Sequence, residues 1–437
     1  MKIKLNMVEV YELWAVVVSL IVVKLCQWIY QRRNPKSNGK LPPGSMGFPI
    51  IGETFEFMKP HEAIQLPAVV KKKVLRHGPL FRTSLFGGKV IISTDIGVNM
   101  EIAKTNNIPG MPKSLKRLFG ENNLFVNLET HKHARSLTNQ FLGSQGLKLR
   151  MIQDIDLLSR IHMEEGARNG SLDTKETSSK GLVPIEWLRH VSYVTGEKSD
   201  DEGTILKKRA SGEEFGEVFK IIFGEMDGRA DTISVEKAID YIFTLFVIAN
   251  ETTPGVLAAT IKLISDNPKV RQELKREHEG IVRSKIEKKE KAGLTWEDYK
   301  SMTFTQMVIT ESLRITSTAP TVLRIIDPGW IFMGYPYVHF NPEKYDDPSV
   351  FNPWRWKAKD LSVNVSKTFL PFGSGSRLCV GAEFVKLQMA IFIHHLSRYR
   401  WSMKTETTVL RRFILMLPSG SDVQISEDTE EDNYVGY

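Results

Sequence analysis

The chain of 437 residues is 41% hydrophobic and 25% charged, which excludes a disordered or collagen-like polymer and leaves enough apolar material for one large core. Its net charge of +8 is spread along the chain, densest from Lys275 to Lys291, and no helical stretch interleaves bases with stacking aromatics; this argues against a nucleic-acid partner and for a solvated face or an acidic docking partner. Two cysteines, Cys26 and Cys379, exclude a disulfide framework and suit a reducing compartment.

Leu13 to Tyr30 forms an apolar run of 18 residues interrupted by Ser19, Lys24 and Gln27, long enough to cross a bilayer. Glu9 and Glu12 precede it, and Arg32, Arg33, Lys36 and Lys40 lie on its C-terminal side. That charge order opposes a cleaved secretory signal and keeps the downstream domain on the cytosolic side. The expected division is an anchor with its basic flank over 1–40 and one domain over 41–437, joined by the stiff stretch Leu41-Pro-Pro-Gly-Ser-Met-Gly-Phe-Pro49.

Next come His131-Lys-His-Ala-Arg135, basic on a helix-like stretch, and Ser178 to Gly203, whose pattern predicts no pair of packed helices. Val235 to Asp266 reads as a helix ending at Asn267-Pro268. At its centre, Ala249-Asn250-Glu251-Thr252-Thr253-Pro254 places a carboxylate and a hydroxyl one turn before a proline. Pro254 lacks the amide that would bond the carbonyl of Asn250, so the turn beside Glu251 and Thr252 is expected to loosen and hold water for proton transfer. Taken alone, the same residues describe a kinked core helix equally well.

Thr303 to Ile315 is helical by its apolar spacing and sets Glu311 and Arg314 on one face. Pro320-Thr-Val-Leu-Arg324 then runs through Asp327 directly into Pro328-Gly329-Trp330, and Phe351-Asn-Pro353-Trp-Arg355-Trp356 comes after it. Last comes Phe372-Gly-Ser-Gly-Ser-Arg377-Leu-Cys379-Val-Gly381, a glycine-rich loop ahead of a helix over Ala382 to Leu396. A cysteine there meets a thiolate ligand's needs: a backbone that approaches a metal closely, and a helix N-terminus whose amides favour anionic sulfur. A buried structural cysteine is the plainer reading of the residue by itself.

Together these motifs resemble the cytochrome P450 family. The loop matches every fixed position of its F-x-x-G-x-R-x-C-x-G signature. The resemblance implies a mainly α fold with small β-sheets (α+β), haem b with Cys379 as the axial thiolate, and Phe372, Arg377 and Gly381 at the haem. It also implies that Arg135, Arg324 and His131, which replaces the family's tryptophan, bind the haem propionates. Glu311, Arg314 and Arg355 match the family's buried structural cluster. Glu251 and Thr252 match its oxygen-activation motif, where Ile248 and Ala249 depart from the usual small residues and narrow the groove.

Phrases such as Gly47-Phe-Pro-Ile-Ile-Gly-Glu53 and Phe351-Asn-Pro-Trp-Arg-Trp356 look like the plant clan of brassinosteroid and triterpenoid oxidases. That likeness implies a membrane-anchored monooxygenase of the endoplasmic reticulum, inserting one oxygen atom of O2 into a sterol-like or triterpenoid substrate with electrons from an NADPH-dependent reductase. Phe243, Phe246, Val247, Val322 and Met416 are candidate pocket residues. Against the family pattern, part of the distal roof is missing around 180–203, and a strand hairpin is missing at 327–328. Two other readings therefore stay open: a truncated member without catalytic activity, and a haem-thiolate isomerase or dehydratase that needs no reductase.

Overall fold

The structure, a computed structural model, describes residues 7–33, 39–48, 51–105, 131–132, 135–136, 138–139, 142, 151–175, 177, 235–289, 293–316, 322–326, 329–334, 337–357, 368–412, 415–417 and 419–427. The stretch 178–203, Asp327 and Pro328, and the side chains of the candidate residues Phe243, Phe246, Val247, Glu251, Val322 and Met416 lie outside that description.

The described helices are α1 (Met7–Arg33), α2 (Thr54–Phe57), α3 (Ala68–His77), α4 (Ile96–Lys104), α5 (Ile152–Asn169), α6 (Val235–Ser265), α7 (Pro268–Glu287), α8 (Trp296–Ser301), α9 (Thr303–Ile315) and α10 (Ala382–Leu396). Helix α1 runs past the apolar stretch at both ends, and its 27 residues span about 40 Å at 1.5 Å per residue. Within it Tyr11–Ile29 has a mean hydropathy of 1.8. Leu13, Trp14, Ile21 and Val23 are each more than half exposed, so this apolar surface lies outside the core.

The core is built by α5, α6, α7, α9 and α10. Val308 to Ile315 of α9 are all buried, as are Leu387 to Leu396 of α10. Leu257, Ile261, Val308, Leu387 and Ala390 are fully shielded members of one cluster. At about 25 cal/mol per Å² of apolar surface removed from water, this packing is what holds α6 and α10 in place, rather than their intrinsic propensity. Asn267 breaks α6 from α7, whose first turn holds Pro268, where a missing amide costs nothing.

Among the described residues, ten strands form three small sheets at the periphery. The largest has the order β2 (Leu80–Leu85), β3 (Gly88–Ser93), β6 (Trp330–Gly334), β5 (Val322–Ile326). Strands β3 and β6 are parallel, and the other pairs are antiparallel. Ile326 pairs with Trp330 and the Gly329 amide bonds the Ile326 carbonyl at 3.0 Å, with Gly329 at a φ of 83°.

A buried polar chain ties the helices together. The Glu277 carboxylate of α7 accepts from the amides of Phe304 (2.6 Å) and Thr305 (2.9 Å) and caps the start of α9, whose own N-cap, Met302, has no side-chain donor or acceptor to offer. Thr305 Oγ1 donates to Glu277 and contacts His278 Nε2 at 3.0 Å; His278 Nδ1 meets His394 Nδ1 of α10 at 3.0 Å. Beside them His395 Nε2 bonds Asp156 Oδ1 of α5 at 2.8 Å.

Burial, then the neighbouring His395, pulls the His278 pKa down to about 3; burial, then Arg314 and Arg411, does the same for His339; burial, then the neighbouring His278 and His395 and the charges of Arg398 and Lys285, holds His394 well below its usual value. All three are neutral in the fold, while the unfolded chain protonates them near pH 6.5. Their stabilising contribution is complete above about pH 6.5 and is lost as pH falls, toward about 3 for His278 and His339, at up to about 1.4 kcal/mol per pH unit for each histidine. Denaturant midpoints at about pH 7 and about pH 5 test this: a clear fall is expected, and equal midpoints would contradict it.

Candidate functional site

The thiol loop is shaped by backbone rather than by side chains. Gly373 and Gly375 adopt φ of 79° and 73°, a region that residues with a Cβ avoid. At Gly375 a Cβ would lie 2.3 Å from the Ala103 carbonyl oxygen, so only glycine lets the loop close on the end of α4. The Cys379 amide bonds the Phe372 carbonyl at 2.9 Å and that of Leu378 bonds Gly375 at 3.1 Å, tying the ten-residue motif into one ring ahead of α10.

Cys379 is solvent-accessible, yet protein surrounds it densely enough for burial to push its pKa up. Its sulfur therefore faces a recess in the fold instead of the outer surface. The amide of Gly381, which is the N-cap of α10, and the charge of Arg135 both pull the other way and are outweighed. The Gly381 amide acts in the direction that the helix N-terminus led one to expect, and desolvation is the larger effect.

Cationic groups converge on the same recess. Arg135 Nη1 donates to the carbonyl of Leu378, next to the cysteine. Burial, then the charges of Arg377, Arg135 and Arg324, lowers the pKa of His131 to about 4, leaving it a neutral imidazole and hydrogen-bond donor. Burial and the Arg324 charge bring Arg377 to about 10, and burial lowers Arg324 on strand β5. Arg324 Nε is buried with no hydrogen-bond partner among the described residues. Three guanidinium groups, an orphaned donor and a recessed thiol fit a dianionic, iron-holding macrocycle, and of the residues that the sequence nominated His131, Arg135, Arg324, Arg377 and Cys379 influence one another here.

Glu311 is the hub of a buried ion cluster. Arg314 grips its carboxylate with two bonds (2.9 and 2.8 Å), and Arg355 Nε adds a third at 2.9 Å. Arg314 also donates to the Pro348 carbonyl (2.7 Å) and Arg355 to that of Asp346 (2.8 Å), pinning the 346–350 loop. Two further donors to Glu311 are the indole of Trp356 (2.9 Å) and the Asn352 amide (3.0 Å). Sequence reasoning passed over Trp356, although it adjoins Arg355 in the same motif. It also passed over His339, whose carbonyl accepts from Arg314 and whose Nε2 accepts from the Leu370 amide at 2.8 Å, linking the cluster to the segment that enters the thiol loop.

On α6 the hydroxyl of Thr252 donates to the Ile248 carbonyl one turn earlier, at 2.9 Å, and the helix continues through Pro254. Its proton is engaged and its oxygen lone pairs remain as acceptors. Helix α6 is unbroken from Val235 to Ser265, so the proline does not interrupt it beside Glu251 and Thr252.

A family model described as "Cytochrome P450" matches residues 219–424. Cytochrome P450 708A2 of Arabidopsis thaliana is 35% identical, with 95% of this chain and 98% of that protein covered. The two align over 474 positions, 37 more than the whole of this chain, so the relative carries segments without counterparts here. Cucurbitadienol 11-hydroxylase of Siraitia grosvenorii is 30% identical over 95% of this chain and 99% of its own length. Among solved structures, that described as retinoic acid-bound cyanobacterial CYP120A1 superposes with a TM-score of 0.65 at 20% identity, covering 90% of this chain and 100% of that one, which shows a shared fold.

Proposed function

We propose, from the premise that this chain belongs to the cytochrome P450 family of haem monooxygenases, that it inserts one oxygen atom of O2 into a sterol-like or triterpenoid substrate with electrons from an NADPH-dependent reductase. The observation that carries this reading is the convergence of Cys379, Arg377, Arg135, His131 and Arg324 on one recess. Support for the substrate class comes from relatives named cucurbitadienol 11-hydroxylase, 30% identical, and cholesterol 16,22-dihydroxylase, 27% identical.

Cys379 would hold the iron as thiolate, with the Gly381 amide donating to sulfur; Arg135, Arg324, Arg377 and neutral His131 would hold the propionates. Haem bound there supplies the reductive activation of dioxygen. The Thr252 oxygen accepts a hydrogen bond from water, and Glu251 acts as the proton source on the same turn. Helix α1 serves as a single anchor in the endoplasmic reticulum membrane, with 41–437 as the cytosolic catalytic domain.

The full chain, assayed with a reductase and NADPH against a panel of sterols and triterpenoids, tests this reading; a hydroxylated product is expected. Thr252→Ala should keep NADPH consumption while product per NADPH falls by about tenfold or more, the usual scale of a lost proton-transfer group. Unchanged coupling would remove Thr252 from the relay. A second reading, a shortened member without activity, draws on the positions that this chain lacks beside its Arabidopsis relative, and failure to take up haem would favour it.

A further inference from the structure

Between the anchor and the domain lies an open cavity of about 790 Å³, lined by Trp28 and Ile29 of α1 and, in the domain, by residues 44–48, Gly52, Glu53, Phe55, Glu56 and Arg82. The volume lies in the range that small-molecule sites occupy, about 300–1,000 Å³. Its rim is costly in water, for Phe48 and Phe55 stand 77% and 71% exposed. The described residues beside them are tied to the domain: Phe48 and Gly52 exchange two backbone bonds (3.1 and 2.9 Å), the Glu53 amide bonds Ser84 at 2.8 Å, and the Phe86 amide bonds Thr54 Oγ1 at 2.7 Å.

The cavity also has a polar end. Ser45 Oγ donates to Glu53 Oε1 at 2.5 Å. Lys73 and Thr83 donate to the same carboxylate, which is thereby charge-balanced and fixed. Because the Ser45 proton is committed to Glu53, the lone pairs of its oxygen are acceptors strengthened by the carboxylate. An acceptor at one end of an aromatic-walled space, whose other polar lining is Glu53, Glu56 and Arg82, with the anchor forming one wall, suits a rigid apolar molecule that carries a hydroxyl and arrives through the bilayer.

We propose that this cavity is a second small-molecule site, which takes a polycyclic alcohol from the membrane, with its rings between Trp28, Phe48 and Phe55 and its hydroxyl donating to Ser45 Oγ. The site rests on the reading of α1 as a membrane anchor and of the substrate as sterol-like, and would hold such a molecule apart from the haem recess.

The test uses the full chain in phosphatidylcholine vesicles with a diazirine-bearing sterol that keeps its hydroxyl, then irradiation and peptide mapping. Labelling of the peptides holding Phe48 and Phe55 is expected to saturate and to be competed by unlabelled sterol. It should fall about tenfold in a Phe48→Ser, Phe55→Ser double variant, the scale of losing apolar contacts of this size, and with the hydroxyl-methylated probe. Labelling of α1 alone, or labelling that rises linearly and resists competition, would reduce the cavity to ordinary lipid contact and overturn the proposal. Product formation by the same preparation separates the two readings: saturable labelling without product leaves the cavity standing, and product without saturable labelling removes only the cavity.

Discussion

Cys379→Ala is expected to abolish the reduced, carbon monoxide-bound absorption band that marks a thiolate-ligated haem, and to leave most haem lost on gel filtration. The sulfur is the one soft ligand in a recess that otherwise presents guanidinium groups and an imidazole, so nothing described there replaces it. Removing the sulfur leaves the loop's ring intact, because Cys379 contributes its amide to Phe372 through the backbone. The variant should therefore keep the far-ultraviolet circular dichroism of the parent while losing the band. Cys26→Ser is the matched control: Cys26 lies in α1, exposed and outside the core, and its loss should leave the band at parental intensity. A band retained in Cys379→Ala would refute the ligand assignment.

Glu311→Ala should lower folding stability by about 3–5 kcal/mol, a large share of the roughly 5–15 kcal/mol that holds a typical domain together, and little soluble, haem-loaded protein should form. Glu311 and Arg314 are wholly shielded from solvent and the Arg355 side chain nearly so. Removing the carboxylate strands two guanidinium groups together with the Trp356 indole and the Asn352 amide. The damage also spreads toward the thiol loop through His339 and Leu370. Glu311→Gln keeps an acceptor but not the charge and should fall between parent and alanine variant. By contrast, Glu101→Ala breaks its ion pair with Lys104, whose side chains are 72% and 64% exposed, and its cost should stay below about 1 kcal/mol. Denaturant titration of the variants checks the order, and an alanine variant at position 311 as stable as the parent would contradict it.

The local elements were legible beforehand. Helices over Thr303–Ile315 and Ala382–Leu396 lie where apolar spacing placed them, and α6 ends one residue short of the expected Asp266. The apolar run at the N-terminus became a longer helix because backbone bonding carries through Glu9, Glu12 and the two arginines, which hydropathy alone would leave outside. The Glu311, Arg314 and Arg355 cluster was expected from two short motifs, and its geometry agrees. What escaped notice joins residues far apart: Glu277 capping α9, the His278 and His394 pair 116 positions apart, Asp156 with His395 239 positions apart, and Trp356 on Glu311. No periodicity or spacing announces a partner on another helix.

The sequence by itself determined the kinds of chemistry present, namely a thiol among glycines, three arginines and a histidine able to meet carboxylates, and an acid and alcohol pair before a proline, because residue identity and turn preference are local properties. The tertiary structure alone decided their electrostatic state. It turned the thiol toward a raised pKa against the pull of Gly381 and Arg135, held His131 neutral among three arginines, and bent the Thr252 hydroxyl back onto Ile248. Desolvation is summed over every atom that packs around a group, and those atoms come from all parts of the chain.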